Sequence, residues 1–363
     1  MKERIAGMKI LYITNNGIED AAFGGAKASR RNYELLKEYG EVNVVAIRKR
    51  SNMASLLSAL QGYFPPSGRQ DLIRIGNMLE TDKYDLVFFD GSHFGNIARY
   101  VKTKNIKVIC SAQNCEYDYI EVRFGKQKSL KKSIYKRLVK KQERLAVQFA
   151  DCNIVLTRRD AERMRKLYDV PMPEILPLSL VDVYEQKLPK CKERTCLLFG
   201  PLGRANEEAF GWFVENVSPY LHCKTKIAGK GLEIYQKDWS TAQVEVQGYV
   251  EDIAQLYADA VCVVIPLLSG GGMKIKTAEA LMFGKYVFGT DEAFVGYELE
   301  YDKIGGKCNS AQEFIDKINA FLDIEKDTFY NTYSRQRYEE KYSLGASKEI
   351  LSGLLSGLGI DNA

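Results

Sequence analysis

The chain has 363 residues, of which 45% are hydrophobic and 27% are charged. This composition is typical of a soluble globular protein, and the length favours two domains over one. The formal net charge of +5 is too small to indicate nucleic acid by itself. A histidine-rich metal site is excluded, because the chain has only two histidines.

The eight cysteines are scattered along the chain, and none forms a C-x-x-C pair. This usage indicates a reducing compartment. No apolar signal region precedes the first predicted strand, and no apolar run reaches the length of about 18 residues that a membrane span needs. The sequence therefore predicts a cytoplasmic protein.

Strand-like and helix-like segments alternate through the first half of the chain. The apolar, β-prone runs predict strands at residues 8–14, 42–47, 86–89, 108–111 and 153–156. Between them, helices are predicted at residues 26–39, around 56–60, and at 71–79, 126–149 and 160–167. Such alternation implies a parallel sheet.

A second alternation follows a proline-rich stretch, residues 171–189, which we interpret as a domain linker. Strands are predicted at residues 196–199, 224–228, 244–246, 261–265 and 286–289, and helices at 206–217, 327–340 and 345–358. Two such runs predict an α/β protein with two Rossmann-like domains and a cleft between them.

The most informative stretch is the glycine loop Gly270-Gly271-Gly272 between a buried strand and a helix. Lys274 and Lys276 fall in the first turn of that helix, where a cation opposes the helix dipole at a cost of about 0.3–1 kcal/mol. Backbone amides at this end attract anions, so a diphosphate ligand would explain both lysines. Glu279 lies on the same helix face as Lys276. The alternative is two solvated lysines, with Glu279 pairing Lys276.

Polar residues also follow two strands of the first half. Asp90-Gly91-Ser92-His93 comes after one strand, and Gln113-Asn114-Cys115-Glu116 comes after the next. In open α/β sheets, ligands bind at such strand ends. For Asn114 and Glu116, a helix-capping role is the alternative.

Several motifs resemble those of glycosyltransferases with two Rossmann domains (the GT-B fold), specifically the retaining family 4 group. Phe23-Gly24-Gly25 is similar to the family's N-terminal glycine loop, and residues 113–116 are similar to its His-Asn-x-Glu element, with Gln113 in place of the histidine. Residues 199–203 resemble the opening of the C-terminal domain. Residues 270–281 resemble the Gly-x-Gly-x-Lys-x-Lys-x-x-Glu-Ala-Leu donor motif.

The resemblance implies a nucleotide-sugar donor, with a UDP-sugar preferred, on a C-terminal domain of residues 190–340. It implies a lipid-linked or polysaccharide acceptor on an N-terminal domain of residues 1–180, to which helix 345–358 returns. No metal is implied, because cationic side chains and helix N-termini hold the diphosphate. The expected reaction is transfer to an acceptor hydroxyl with retained anomeric configuration.

Carried over residue by residue, Glu279 matches the second glutamate of the family's Glu-x7-Glu motif, which holds the donor ribose. The first glutamate falls at Gly271 and is absent. The candidate catalytic residues are His93, Arg204, Lys274 and Glu279. The candidate donor-binding residues are Gly24, Gly25, Tyr249, Val250, Gly270, Gly271, Gly272 and Lys276, and the acceptor-binding candidates are Asn114 and Glu116.

Two other functions remain open from the sequence. The missing first glutamate and the substituted histidine would fit a non-catalytic partner of an active transferase. A nucleotide-sugar epimerase of the same fold would need no acceptor. A nicotinamide dehydrogenase is disfavoured, since no G-x-G-x-x-G follows the first strand.

Residues 126–144 form a basic segment with nine lysines and arginines against one glutamate. Leu130, Ile134 and Leu138 recur at helical spacing, which gives the segment one apolar face. It is either a surface helix with a solvated outer side or a dock for an anionic membrane surface on the inner face of the cell membrane. RNA binding is disfavoured because no aromatic stacking pattern accompanies the charge.

Overall fold

The computed structural model describes residues 7–15, 18, 24–48, 50–125, 129–185, 194–324 and 329–360. The chain forms two compact units. The first comprises residues 1–178 and 347–363, and the second comprises residues 179–346. Each unit contains one six-stranded, all-parallel sheet flanked by helices. The predicted α/β class with two Rossmann-like units is therefore confirmed.

The sheet of the first unit has the strand order β2-β1-β3-β4-β5-β6. Its strands are β1 (Met8–Thr14), β2 (Gly40–Ala46), β3 (Leu86–Asp90), β4 (Lys107–Ala112), β5 (Cys152–Val155) and β6 (Glu174–Ile175). Its helices are α1 (Gly24–Lys37), α2 (Asn52–Leu60), α3 (Arg69–Thr81), α4 (Gly95–Lys102), α5 (Glu116–Phe124), α6 (Leu130–Phe149) and α7 (Arg158–Tyr168).

The central strands of this sheet are covered by helices on both faces, so their sequences are largely apolar. Every residue of β3 is buried. On one face, Val87 and Phe89 pack in a core with Ile75 of α3 and Ile97 of α4. This two-sided burial explains why continuous apolar runs, rather than alternating ones, predicted the strands correctly.

The sheet of the second unit has the strand order β12-β11-β10-β7-β8-β9. Its strands are β7 (Thr195–Phe199), β8 (Lys224–Ala228), β9 (Val244–Gln247), β10 (Cys262–Ile265), β11 (Tyr286–Gly289) and β12 (Gly305–Lys307). Its helices are α8 (Arg204–Asn216), α9 (Gln236–Trp239), α10 (Ile253–Ala258), α11 (Ile275–Met282), α12 (Tyr301–Ile304), α13 (Ala311–Asp323) and α14 (Thr332–Arg337).

The last helix, α15 (Leu344–Gly357), lies mostly in the first unit. There, the Tyr39 hydroxyl donates to the Lys348 carbonyl at 3.1 Å, and Lys348 pairs with Glu38 at 2.8 Å. A π-helical turn, Tyr338–Tyr342, precedes α15. Among the described residues, no helix is both long enough and apolar enough to cross a bilayer.

Several elements differ from the sequence prediction. Helices α4, α5, α9, α10, α12 and α13 and the short strands β6 and β12 were not predicted. Of the predicted tail helix 327–340, residues 327–328 lie outside the described part of the chain. The helix begins at Thr332 and passes into the π turn after Arg337. The basic helix begins at Leu130, and residues 126–128 lie outside the described part of the chain. Except for α13, which has 13 residues, the elements that were not predicted have two to nine residues, too few repeats for a period to be recognised.

Each strand order has one point at which successive strands change direction across the sheet. In the first unit this point lies between β1 and β3, and in the second it lies between β7 and β10. In open parallel sheets, the crevice at the carboxyl ends of these two strands is the usual ligand site. The loops after β7 and β10 are therefore the first place to look for the site in the second unit.

Candidate functional site

In the second unit, the loops after β7 and β10 meet at Lys276. The Lys276 ammonium donates to Asn206 Oδ1 at 2.7 Å. A Cβ at Gly200, directly after β7, would lie 3.0 Å from Lys276 Nζ and 2.7 Å from Asn206 Nδ2. Glycine at this position thus makes room for a lysine that comes from the other side of the crevice.

The charge of Lys276 is poorly stabilised in this position. Burial lowers the pKa of Lys276 to about 7; nearby Glu279 raises it and nearby Lys274 lowers it further. The ammonium lies 5.0 Å from the centre of the Phe210 ring. A bound anion would restore the charge of this amine, since an opposite charge within a few ångströms favours the protonated form.

Lys274 has a different environment, although it stands only two residues away. Its ammonium donates to the carbonyls of Gly271 at 3.1 Å and Gly272 at 2.9 Å, and it pairs with Glu292 at 2.7 Å. An ammonium has three protons, so these bonds use all of them. Lys274 is also the N-cap residue of α11, and its carbonyl accepts from the Tyr297 hydroxyl at 2.7 Å.

Glu279 is only 2% exposed and lies in the middle of α11. The Tyr257 hydroxyl donates to its Oε2 at 3.1 Å, and the Tyr257 ring stacks on Phe283 with 4.7 Å between centroids. A buried carboxylate needs such partners, because desolvation is costly. The sequence predicted a pair between Glu279 and Lys276 as the alternative to a ligand site. The Lys276 ammonium instead donates to Asn206.

The glycine loop after β10 carries no side chains of its own. Gly272 has a φ of 53°, a left-handed conformation that glycine adopts without strain. A Cβ at Gly270 would lie 2.7 Å from Lys274 Cε and 3.0 Å from Glu292 Oε1. The backbone of this loop is thus packed against the Lys274–Glu292 pair.

The other donor-site candidates of this unit lie at more open positions. Arg204 begins α8 and pairs with Glu208 at 2.8 Å, with both side chains about half exposed. Tyr249 is 67% exposed and Val250 is half-buried, and both follow the edge strand β9. Their assignment to the nucleotide stays a prediction.

In the first unit, His93 follows β3 and is buried among aromatic rings. Its ring centroid lies 4.2 Å from that of Phe94 and 5.9 Å from that of Phe64. Burial lowers the pKa of His93 to about 4, so the imidazole is neutral at pH 7. Within the described part of the chain, its Nε2 has no hydrogen-bond partner.

Asn114 and Glu116 lie at the beginning of α5, and Asn114 Nδ2 is 3.5 Å from Glu116 Oε1. Glu143 of α6 caps this helix, because its carboxylate accepts from the amides of Glu116 at 2.8 Å and Tyr117 at 3.1 Å. The side chains of Asn114 and Glu116 are therefore not needed as caps. Burial, with nearby Glu143, raises the pKa of Glu116 to about 7.

The β1–β3 crevice of the first unit is organised by Asp90, at the end of β3. Its carboxylate accepts hydrogen bonds from Thr14 Oγ1 at 3.0 Å, from Ser29 Oγ and from Asn32 Nδ2 at 2.8 Å. Gln113 Nε2 also lies 3.4 Å from Asp90 Oδ1. Gln113, which replaces the family's histidine, is thus part of a buried polar network.

Gly24 and Gly25 are the first residues of α1. The sequence placed them in the loop before a helix at Ala26, so the helix begins two residues earlier than predicted. Phe23, the first residue of that motif, lies outside the described residues. The role of this glycine pair stays a prediction.

Three residues that define these sites were not identified from the sequence: Asn206, Glu292 and Glu143. Asn206 and Glu292 come from segments that follow β7 and β11, where polar residues after a parallel strand are a usable signal. Glu143 lies in the middle of the basic helix, and its burial beneath α5 follows only from tertiary packing.

The family comparison agrees with the geometry of the second unit. Residues 193–323 match the family model of glycosyl transferases group 1, so the match spans the sheet of this unit, both crevice loops and α11. No curated protein matches the sequence.

The whole chain is similar in fold to solved glycosyltransferases. It matches sucrose-phosphate synthase from Thermosynechococcus elongatus with a TM-score of 0.70 and 14% identity, over 97% of this chain and 99% of that one. WaaG, a glycosyltransferase involved in lipopolysaccharide biosynthesis, gives 0.66 and 15%, over 96% and 100%. Anabaena HepE in complex with UDP gives 0.65 and 13%, over 96% and 100%. The chain thus has the fold of these GT-B proteins, and its residues 193–323 match the glycosyl transferases group 1 family.

Proposed function

We propose that this enzyme transfers a sugar from a UDP-sugar to a hydroxyl of a lipid-linked or polysaccharide acceptor, with retention at the anomeric carbon. The observation that carries the proposal is Lys276, whose half-buried side chain places its amine where the segments after β7 and β10 meet. A site that lowers a lysine pKa to about 7 gains most from an anionic ligand. A nucleoside diphosphate supplies that charge.

The donor then has a defined set of protein partners. Lys276 binds the diphosphate, with Arg204 at the N-terminus of α8 as a second cation. Glu279 accepts hydrogen bonds from the ribose hydroxyls, and its carboxylate is oriented by Tyr257. Backbone amides of the glycine loop after β10 approach the sugar and phosphates closely, since no side chain blocks them. Anabaena HepE has been solved with UDP-glucose, which supports this donor class.

In the reaction, the bond between the anomeric carbon and the diphosphate oxygen breaks, and negative charge develops on the leaving UDP. Lys276 stabilises that charge in a partly buried position, where electrostatic interactions are stronger than in water. The acceptor oxygen bonds to the anomeric carbon on the face that UDP leaves. Its proton passes to the departing phosphate oxygen. No metal is needed for this balance, because the lysine supplies the positive charge.

The acceptor is assigned to the first unit, at the ends of β3 and β4. His93 lies there as a neutral imidazole. Asn114 and Glu116 supply an amide and a carboxyl group at the beginning of α5. Neither side chain is needed to cap α5, because the Glu143 carboxylate caps this helix.

We also propose that the first unit docks on an anionic lipid surface. Helix α6 exposes Lys131, Arg137, Lys140, Lys141 and Arg144. Neighbouring α2 exposes four large apolar side chains, each more than half accessible: Met53, Leu56, Leu57 and Leu60. The two helices are joined, since Gln142 of α6 donates to the carbonyl of Gly62, just after α2, at 2.5 Å. Basic residues near a lipid surface contribute about 1 kcal/mol each.

The test is a thermal-shift panel of UDP, GDP, dTDP and their sugars on wild type, Lys276→Met and Glu279→Ala. Stabilisation by UDP and a UDP-sugar, lost in both variants, is the expected result. A ligand at about 100 times its dissociation constant adds about 2.7 kcal/mol to the stability. Exposed Lys237, replaced by methionine, is the matched control. No shift with any nucleotide would refute the donor site.

A second measurement separates the transferase from the alternative functions. The wild-type protein with the selected UDP-sugar and no acceptor should release UDP slowly by hydrolysis. A protein that binds the donor but never releases UDP would be a non-catalytic partner. Interconversion of the free sugar would identify an epimerase.

A further inference from the structure

Arg31 of α1 carries a buried charge that its surroundings leave uncompensated. The side chain is only 2% exposed. Among the described residues, its Nε and Nη1 atoms have no hydrogen-bond partner. Burial lowers the pKa of Arg31 to about 10, although nearby Asp90 and Tyr12 raise it, so the guanidinium stays charged at pH 7. A buried charge without hydrogen-bonded partners is costly, and arginine is almost never fully buried unless it is paired.

Asp90 is the carboxylate near this guanidinium, but other donors occupy it. Its Oδ2 accepts from the hydroxyls of Thr14 and Ser29, and its Oδ1 accepts from Asn32 Nδ2. Asp90 therefore attracts the Arg31 charge through space without accepting a hydrogen bond from Nε or Nη1. These two donor atoms are left for a group that the protein itself does not supply.

Asn32, the next residue of α1, has an unpaired acceptor in the same network. Its Nδ2 donates to Asp90 at 2.8 Å, and this bond fixes the orientation of the amide. Its Oδ1 is buried, and no donor in the described part of the chain bonds to it. Two successive residues of α1 thus hold unused guanidinium donors and an unused amide acceptor. A ligand that combines an anionic group with hydroxyls would satisfy both.

This cluster lies at the edge of the sheet to which the acceptor is assigned. Thr14 is the last residue of β1, and Asp90 is the last residue of β3. Gln113, directly after β4, lies with its Nε2 3.4 Å from Asp90 Oδ1 and is followed by the acceptor candidate Asn114. In open parallel sheets, ligands bind in the crevice that such strand ends border. The unpaired groups of α1 are therefore next to a usual ligand position.

We propose that the acceptor carries a carboxylate or phosphate group, which binds the Arg31 guanidinium in the β1–β3 crevice of the first unit. This inference rests on the proposed function, in which the first unit holds the acceptor. A planar guanidinium matches either anion with two parallel hydrogen bonds. Asn32 Oδ1 accepts from a hydroxyl of the same sugar. The acceptor is thus an anionic glycan, a uronic acid or a sugar phosphate.

The test compares dissociation constants for glucose 6-phosphate, glucuronate and glucose, by NMR titration at pH 7, in wild type and Arg31→Met. Wild type should bind at least one of the two anionic sugars at least about tenfold more tightly than glucose, and Arg31→Met should lose this preference, because charge-assisted hydrogen bonds are the strong ones. Whichever anion is preferred identifies the group. Arg31→Lys keeps the charge without the planar fork and should show an intermediate preference. Exposed Arg30, replaced by methionine, is the matched control and should change none of these values.

Stability gives a readout that separates ligand binding from a structural role. Without ligand, Arg31→Met should unfold at a higher urea concentration than wild type, because methionine removes an unpaired buried charge. A structural role for the guanidinium predicts the opposite shift. The preferred anionic sugar should raise the melting temperature of wild type but not that of Arg31→Met.

The outcomes keep the two proposals apart. If wild type binds UDP but does not prefer an anionic sugar over glucose, the inference is overturned and the proposed donor site stands. Inorganic phosphate that binds as tightly as the preferred sugar would indicate a site for free anions and overturn the inference as well. So would an Arg31→Met variant that is less stable than wild type, or one that keeps the preference. If wild type prefers an anionic sugar but binds no nucleotide, the donor site fails and the anionic-sugar site at Arg31 is retained.

Discussion

Raising the pH should weaken donor binding through Lys276. In the free protein, burial holds the pKa of this lysine at about 7. A bound diphosphate favours the protonated amine and moves the pKa back toward its ordinary value of about 10.4. Donor binding above pH 7 must therefore take up a proton, and the affinity must fall as the pH rises between these two values.

The size of the effect follows from the protonated fraction of Lys276. With a pKa of about 7, this fraction is about 90% at pH 6, about 50% at pH 7 and about 9% at pH 8. If only the ammonium form binds, the dissociation constant rises about tenfold between pH 6 and pH 8, or about 1.4 kcal/mol. UDP-glucose is the right ligand, because its doubly esterified diphosphate lacks the phosphate titration near a pKa of about 6.

The assay is calorimetry with UDP-glucose at pH 6, 7 and 8, in two buffers of different ionisation enthalpy. At pH 8, the difference between the buffers should correspond to uptake of about 0.9 proton per site. The Lys276→Met variant should bind weakly, with an affinity independent of pH. Glu116→Gln is a control, since Glu116 also titrates near pH 7 but belongs to the other unit.

A dissociation constant that stays flat from pH 6 to pH 8, without proton uptake, would refute this account of Lys276. So would a Lys276→Met variant that keeps the wild-type pH dependence. If Glu116→Gln abolishes the dependence instead, the titrating group lies in the first unit and not at the diphosphate.

Two further predictions concern the first unit. Replacing Glu143 by glutamine should lower the free energy of unfolding by about 3 kcal/mol in urea titrations. The glutamine amide cannot accept hydrogen bonds from both Ser92 and Tyr168 while also capping α5. The exposed Glu162→Gln variant is the control, and an unchanged urea midpoint in Glu143→Gln would contradict the hydrogen-bond network of Glu143. Anionic phosphatidylglycerol vesicles should co-sediment the protein, and Lys140→Glu combined with Lys141→Glu should weaken that binding at least about tenfold. Equal binding of wild type and variant would eliminate α6 as the docking surface, and neutral phosphatidylcholine vesicles provide the electrostatic control.

The strand pattern could be predicted from the sequence because both sheets are buried on two faces. Runs such as residues 86–89 and Cys262–Ile265 are apolar throughout, so composition alone marks them. The glycine loop and α11 were also predicted, because their local composition marks them as well. Gly284, with a φ of 59°, follows the end of that helix. Short elements such as β6 were not predicted, because two residues are too few to show a period.

The different roles of Lys274 and Lys276 could not be predicted from their spacing. Both stand at the beginning of one helix, and local rules treat them alike. Only the fold brings Asn206 to one of them and Glu292 to the other. The Lys276 amine thereby has a pKa near neutral pH, while the Lys274 ammonium uses all three of its protons in hydrogen bonds.

The sequence by itself determined that this protein is a two-unit α/β chain with a glycine loop and basic residues fit for a diphosphate, since these properties depend on local pattern and residue type. The tertiary structure decided which charges are compensated, which carboxylates are buried and which side chains share a crevice. Those properties depend on residues far apart in the chain, such as Lys276 with Asn206 and Glu143 with Ser92, because electrostatics and desolvation act through space and not along the sequence.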